Sequence, residues 1–201
     1  MERTMKIGCL LMAAGNAARF HSNKLLAELN GKPVIRYALE AIPRSAFHRI
    51  LVVTQYPEVE ALARDFGFAH LRNSRPEAGI SHTIRLGTEA LGDCDAILYM
   101  VADQPLLDSA AIERILTVWQ ARPDSIVGAA HNGRRGSPNL FPREFFPELC
   151  ALEGDRGGNC LRSSADIRPP LPRSSTCHSP VSPAGAMKRS IHSSPVSFSA
   201  S

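Results

Sequence analysis

No stretch of this chain approaches the roughly 20 consecutive apolar residues that a membrane-spanning helix requires, so no span is expected. It contains no C-x-x-C pair, and no cysteine–histidine spacing reads as a zinc site. The five cysteines (Cys9, Cys94, Cys150, Cys160 and Cys177) are odd in number and far apart. That argues against a disulfide framework and suits free thiols in a reducing, cytoplasmic setting. An excess of one charge is also missing. Residues 163–201 hold four basic side chains (Arg168, Arg173, Lys188, Arg189) against Asp166, leaving 19 basic and 18 acidic residues before them. A body so close to neutral offers no electrostatic footprint for nucleic acid. The two common phosphate-loop signatures, G-x-x-x-x-G-K-[ST] and G-x-G-x-x-G, are absent too.

What the chain does have is the composition of a soluble globular protein, 44% hydrophobic and 21% charged over 201 residues. That length supports one domain with a real core. Lys6 to Met12 reads as a strand buried on both faces. After the Gly31-Lys32-Pro33 turn, Val34, Ile35, Ala38, Leu39 and Ile42 recur at helical spacing until Pro43. Arg49 to Thr54 reads as a second buried strand, Glu58 to Phe66 as a helix closed by Gly67, and Phe68 to Leu71 as a short strand. A loop over 73–79 leads into a helix over about 81–91. Ala96 to Val101 is another strand, ending at Asp103, and Asp108 or Ser109 can cap a helix to about Ala121. Ser125 to Ala130 follows as a strand, Asn132 to Pro138 as a glycine-rich basic segment, and Arg143 to Leu152 as a helix.

This alternation implies an α/β sandwich with a mainly parallel sheet over residues 1–162. In such sheets ligands lie beyond the carboxyl ends of the strands. Residues 163–201 change character, with 12 serines, six prolines and a single aromatic, Phe198. They show no strand or helix period and are expected to form a disordered tail.

The stretch LMAAGNAARFHSNKLL, residues 11–26, carries most of the functional signal. One reading is a secretion signal, with Arg3 and Lys6 ahead of an apolar run and Ala17-Ala18 as a small-residue site. Gly8 and Gly15 interrupt and bound that run, which weighs against it. A second reading is an ordinary strand and loop. The third is a phosphate cradle. Ala13, Ala14, Gly15, Ala17 and Ala18 are small enough for backbone N–H groups to approach an anion, and Arg19 and Lys24 add positive charge. In MVADQPLL, a strand delivers Asp103 to the sheet's edge and Pro105 blocks its continuation. A carboxylate facing a polyphosphate there suits Mg²⁺, although a turn aspartate is the plainer alternative. In EGDRGG, Asp155 lies between glycines, where a simple turn is equally compatible. His21, His82 and His131 read as plain surface histidines, and Cys9 as a buried small hydrophobe.

Together MAAGNAARFHSNKLL, GISHTIRLG, ADQPLL, GRRGSPNLFPREFFPEL and LEGDRGG resemble the molybdenum cofactor cytidylyltransferase family. That family is a branch of the MobA-like nucleotidyltransferases with a Rossmann-like, three-layer nucleotide-diphosphosugar transferase fold. The resemblance covers about residues 6–162 and extends to motif order and spacing. It implies transfer of CMP from Mg·CTP to the phosphate of a molybdopterin-type molybdenum cofactor, with release of pyrophosphate. Ala13, Ala14, Gly15, Arg19 and Lys24 match the opening motif L-A-A-G-x-S-x-R-M-G-x-x-K. Guanylyl-transferring relatives favour glycine where this chain has Ala14. Asn73, Gly79, Ser81 and Thr83 match a segment near the base and ribose. Asp103 matches the metal-binding aspartate, and Asp155 the G-D-x-G aspartate, a second candidate for metal or pterin.

The chemistry that the resemblance implies is an in-line attack on the α-phosphorus. Arg19 and Lys24 neutralise the leaving pyrophosphate and Asp103 holds Mg²⁺. The attacking phosphate oxygen is already anionic, so no general base is required. The chain departs from the pattern at Ala17, Phe20, His21 and Ala102, and after Arg162 it lacks the family's closing D-I-D-T-P-E-D-like segment. Three alternatives stay open. One is a guanylyltransferase of this fold and another a cytidylyltransferase acting on a sugar or polyol phosphate. The third is a non-catalytic protein that carries the cofactor to a molybdenum hydroxylase.

Overall fold

The computed structural model describes residues 4–15, 23–131, 134–158 and 197–200. In chain order the elements are β1 (Ile7–Ala13), β2 (Glu28–Leu29), β3 (Lys32–Pro33), α1 (Val34–Ala41), β4 (Arg49–Thr54), α2 (Pro57–Asp65) and β5 (Ala69–Arg72). They continue with α3 (Ile80–Ala90), β6 (Ala96–Val101), α4 (Ser109–Ala121), β7 (Val127–His131), β8 (Arg134–Pro142), α5 (Phe146–Cys150) and β9 (Ser197–Ala200). β2 and β3 form a separate hairpin. The other strands make one sheet in the order β5-β4-β1-β6-β8-β7-β9. The first four are mutually parallel, and each later neighbour is antiparallel.

Period-two alternation along β1 divides the core between the two faces of the sheet. Ile7, Cys9, Leu11 and Ala13 join α1, α2 and α4 on one face, around Trp119. Leu10 joins α3 and α5 on the other, around Phe141 and Phe146. This is the α/β sandwich expected from the sequence, with β1 paired on both sides. Residues 7–13 are therefore the middle of a sheet and not the apolar run of a secretion signal.

Two local devices fix helices that bear on the site. Asp108 accepts a 2.8 Å hydrogen bond from the Ala111 N–H and caps α4, as its position predicts. Gly87, in the middle of α3, faces Leu10. A Cβ there would lie 2.3 Å from the Leu10 side chain, so α3 rests directly on β1. Glycine at a helix interior costs about 1 kcal/mol relative to alanine, and the close approach sets where the amino end of α3 falls.

The structure differs from the sequence expectations at the far side of the sheet. Of the basic segment expected over 132–138, residues 134–138 are the first part of β8, which runs antiparallel to both β6 and β7, with a register shift between Gly128 and Ala130, while 132–133 lie outside the described residues. Gly136 and Pro138 hide its strand character locally; they fall between the paired residues 134–135 and 139–142, which carry the ladder. The helix expected over 143–152 is a 3₁₀ turn, Arg143–Phe145, followed by the short α5. Within the tail, β9 pairs antiparallel with β7, although no strand period is visible there. Residues 159–196 lie outside the described residues.

Candidate active site

β1 and β6 end side by side, and their carboxyl ends open on a cleft of about 680 Å³, within the range of small-molecule sites. Of the residues expected from sequence, Ala13, Ala14, Gly15, Lys24, Gly79, Thr83, Asp103 and Asp155 all line it. They come from four separate stretches of chain. Arg19 lies outside the described residues. A second cavity beside α3 measures only about 80 Å³ and is lined mainly by Met12, Ile80, Ile84, Tyr99 and Phe141. It is a packing gap, too small for a substrate.

One wall of the cleft is the loop after β1. The β1–β4 ladder ends at the pair Ala13–Thr54, and side chains then take over from the backbone. Thr54 Oγ1 donates to the Ala13 carbonyl, Gln55 Nε2 to the Ala14 carbonyl and Tyr56 Oη to the Gly15 carbonyl, each at 3.0 Å. The buried Thr54 hydroxyl also accepts from the Tyr56 N–H at 3.1 Å, so both of its roles are used. Pro57 then starts α2 and carries the chain away. The sequence reading did not single out Thr54, Gln55 or Tyr56. The signal was a polar T-Q-Y ahead of a proline, at the end of the strand beside β1.

The opposite wall joins the start of α3 to the loop over 152–158. Gly79 has φ +84° and ψ −177°, a region open essentially to glycine alone. A Cβ at Gly79 would lie 2.4 Å from the Gly154 carbonyl and 2.9 Å from Asp155 Oδ1. The Ser81 N–H donates to that same Gly154 carbonyl at 3.1 Å. The EGDRGG segment is therefore a turn, as its glycines suggest, and the turn docks on α3 so that Asp155 reaches the cleft.

Asn73 and Ser81 stand behind the lining. Asn73 is 1% exposed; its Nδ2 donates to Thr83 Oγ1 at 3.0 Å, and its own N–H donates to the Thr54 carbonyl at 2.7 Å. It ties the two walls together and orients Thr83. Ser81 is 2% exposed and turns its hydroxyl back toward the Ala78 carbonyl. His82 corrects the surface expectation, being 8% exposed on α3. Burial, reinforced by Arg75 and Arg85, lowers its pKa below the ordinary histidine range. Cys9 is fully buried as expected, and burial raises its thiol far above the ordinary value.

At the floor of the cleft Lys24 Nζ donates to Asp103 Oδ2 at 3.1 Å, both side chains being about half exposed. Pairs this exposed contribute about 0.2–1 kcal/mol, so Lys24 and Asp103 exchange partners at little cost. Beside them Asn23 lines the cleft and caps the turn Lys24–Leu26 by accepting from the Leu25 N–H at 3.0 Å. Its Nδ2 is buried and has no hydrogen-bond partner among the described residues. Among the described residues no three His, Cys, Asp or Glu side chains gather. Asp103 and Asp155 nevertheless share the cleft. Two carboxylates are what Mg²⁺ uses when substrate phosphates and water complete its shell, so the donor set fits that ion.

The MobA-like NTP transferase domain profile matches residues 9–168. This chain belongs to that family. The residues that line the cleft all fall within the matched span. The chain is 33% identical over 112 residues to the bifunctional protein GlmU of Rhizorhabdus wittichii, covering 53% of this chain and 25% of GlmU. It is 30% identical over 122 residues to the 8-amino-3,8-dideoxy-manno-octulosonate cytidylyltransferase of Shewanella sp., covering 59% of this chain and 49% of the relative. The matches thus span a quarter to a half of those curated relatives. In fold it resembles a nucleotidyl transferase from Methanothermobacter, with TM-score 0.65, 23% identity and coverage of 80% and 82% of the two chains. It also resembles a CMP:2-keto-3-deoxy-manno-octonic acid synthetase solved with CTP, with TM-score 0.60, 14% identity and coverage of 81% and 84%. Among the described residues no helix is long and apolar enough to cross a membrane.

Proposed function

We propose that the cleft binds Mg·CTP and that the protein transfers its cytidylyl group to the phosphate of a molybdopterin-type cofactor. One observation carries this reading: Ala13–Gly15, Lys24, Asp103 and Asp155, spread over 143 positions of sequence, line one cleft at the carboxyl end of the parallel strands. The acceptor phosphate oxygen attacks the α-phosphorus, the bond to the β-phosphate oxygen breaks, and pyrophosphate leaves with that electron pair. Lys24 turns from Asp103 to the phosphates and neutralises the charge that builds on the leaving group. Arg19, outside the described residues, shares that task in this reading. Asp103 and Asp155 hold the divalent ion, and a bound Mg²⁺ supplies electrophilic stabilisation of the phosphates. Gly79 and Thr83, with Asn73 behind them, form the side nearer the base and ribose. A molybdenum hydroxylase would receive the finished cofactor.

Pyrophosphate release from CTP and from GTP, with a molybdopterin-type acceptor, tests this directly. Release from CTP alone supports the reading, and release from GTP alone overturns the choice of base. A second reading, cytidylyl transfer to a sugar or polyol phosphate, is favoured by the cytidylyltransferase among the relatives and by the CTP complex among the fold neighbours. Turnover with such a phosphate but not with the pterin would select it. A pure cofactor carrier would release no pyrophosphate and would keep its hydroxylase binding in Asp103→Ala.

A further inference from the structure

We infer that Thr54, Gln55 and Tyr56 are positioning residues that hold the loop after β1 with two consecutive peptide N–H groups turned to the nucleotide's phosphates. This rests on the nucleotide reading of the cleft. In a regular strand successive carbonyls alternate between the two neighbours. β1 obeys this through its last paired residues, since the Met12 carbonyl accepts from the Ala102 N–H on the β6 side and Ala13 turns to the β4 side. Alternation would send the Ala14 carbonyl back toward β6. Instead it accepts from Gln55 Nε2, and the Gly15 carbonyl accepts from Tyr56 Oη. Three consecutive carbonyls are thereby drawn to one short segment beyond β4.

A trans peptide places each carbonyl opposite the N–H of the next residue. Holding the Ala13 and Ala14 carbonyls toward residues 54–56 turns the Ala14 and Gly15 N–H groups the other way. Consecutive amides aimed alike make an anion-binding concavity. Both residues line the cleft that also holds Lys24 and Asp103. The donors account for themselves as a set. Gln55 Nε2 supplies one hydrogen to Ala14 and one to Tyr56 Oη at 3.3 Å, and Tyr56 passes its own hydrogen to Gly15. Removing the Tyr56 hydroxyl therefore frees the Gly15 carbonyl and also removes an acceptor from Gln55. Among the described residues no other hydrogen bond reaches the Ala14 or Gly15 carbonyl.

The test is titration calorimetry on the full chain with Mg·CTP and Mg·GTP, each compared with its monophosphate. A lost hydrogen bond of this kind corresponds to about a three- to tenfold change in affinity. Tyr56→Phe and Gln55→Leu should each weaken the triphosphate by about that factor, and the monophosphate by clearly less. Thr54→Ser should bind as wild type, and Thr54→Val should not. Thermal unfolding of every variant separates loop positioning from lost stability. Equal losses for triphosphate and monophosphate, or no loss in the double variant Gln55→Leu/Tyr56→Phe, would overturn the inference. A wild-type chain that binds neither triphosphate would instead overturn the nucleotide reading, and this inference with it.

Discussion

The two walls of the cleft are built by opposite means. The loop after β1 is held by side chains reaching backbone carbonyls, three hydrogen bonds of 3.0 Å from Thr54, Gln55 and Tyr56. The wall at α3 is held by the absence of a side chain, with Gly79 in contact with the Gly154 carbonyl. The first arrangement is adjustable, because each hydrogen bond contributes on the order of 1 kcal/mol and can be lost separately. The second tolerates no added atom. Asn73 connects them, donating to Thr54 on one side and Thr83 on the other. A site assembled in this way can adapt one wall while keeping the other fixed.

Substitutions can break or sharpen that contrast. The largest effect belongs to neither wall: Asp103→Ala should lower kcat/KM for pyrophosphate release by roughly 10²- to 10³-fold, the scale of losing one electrostatic group at a reacting phosphate. Next comes the rigid wall. Gly79→Ala should destabilise the fold by ~1–3 kcal/mol, seen in denaturant unfolding, and should impair nucleotide binding as well. The adjustable wall should respond more gently, with Gln55→Leu or Tyr56→Phe costing about 1 kcal/mol or less in unfolding while weakening the triphosphate. At the connection, Asn73→Ala leaves the Thr83 hydroxyl unoriented and should cost about 1–3 kcal/mol of stability, with affinity falling alongside.

The smallest effect concerns pH. His82 has a pKa below its ordinary 6.5, because burial and then Arg75 and Arg85 penalise its charged form, against weaker opposition from Glu77 and Glu89. As pH falls, the unfolded chain takes up this proton first. The stabilisation is therefore present above about 6.5 and is lost progressively below it. Unfolding temperature should be lower at pH 5 than at pH 7.5, and His82→Gln should reduce that difference.

The parallel half of the molecule was legible because its signals are local. Buried strands such as Arg49–Thr54 and Ala96–Val101 are continuous apolar runs, and their bounds in the structure match the sequence reading. Asp103 follows directly from one of them. In the antiparallel half β7 was legible as the strand expected over 125–130, but β8 was not, because Gly136 and Pro138 break its pattern and its conformation comes from pairing with β6 and β7. The same division runs through the site. Lys24, Gly79 and Asp155 could be picked out as residue types in a pattern. Thr54, Gln55 and Tyr56 could not, since a polar T-Q-Y before a proline points to the loop after β1 only once β4 is known to lie beside β1. His82 was misread because one residue on a helix does not reveal which face is covered.

The contact between Lys24 and Asp103 has a thermodynamic consequence. If Asp103 holds the metal and Lys24 the nucleotide, as proposed, a bare metal ion would have to compete with the Lys24 ammonium group and a bare nucleotide with the Asp103 carboxylate. The metal–nucleotide complex offers each partner a replacement at once. Under the proposed reading ion and nucleotide should therefore enhance one another's affinity by an equal but small factor, bounded by the weak pair that they replace.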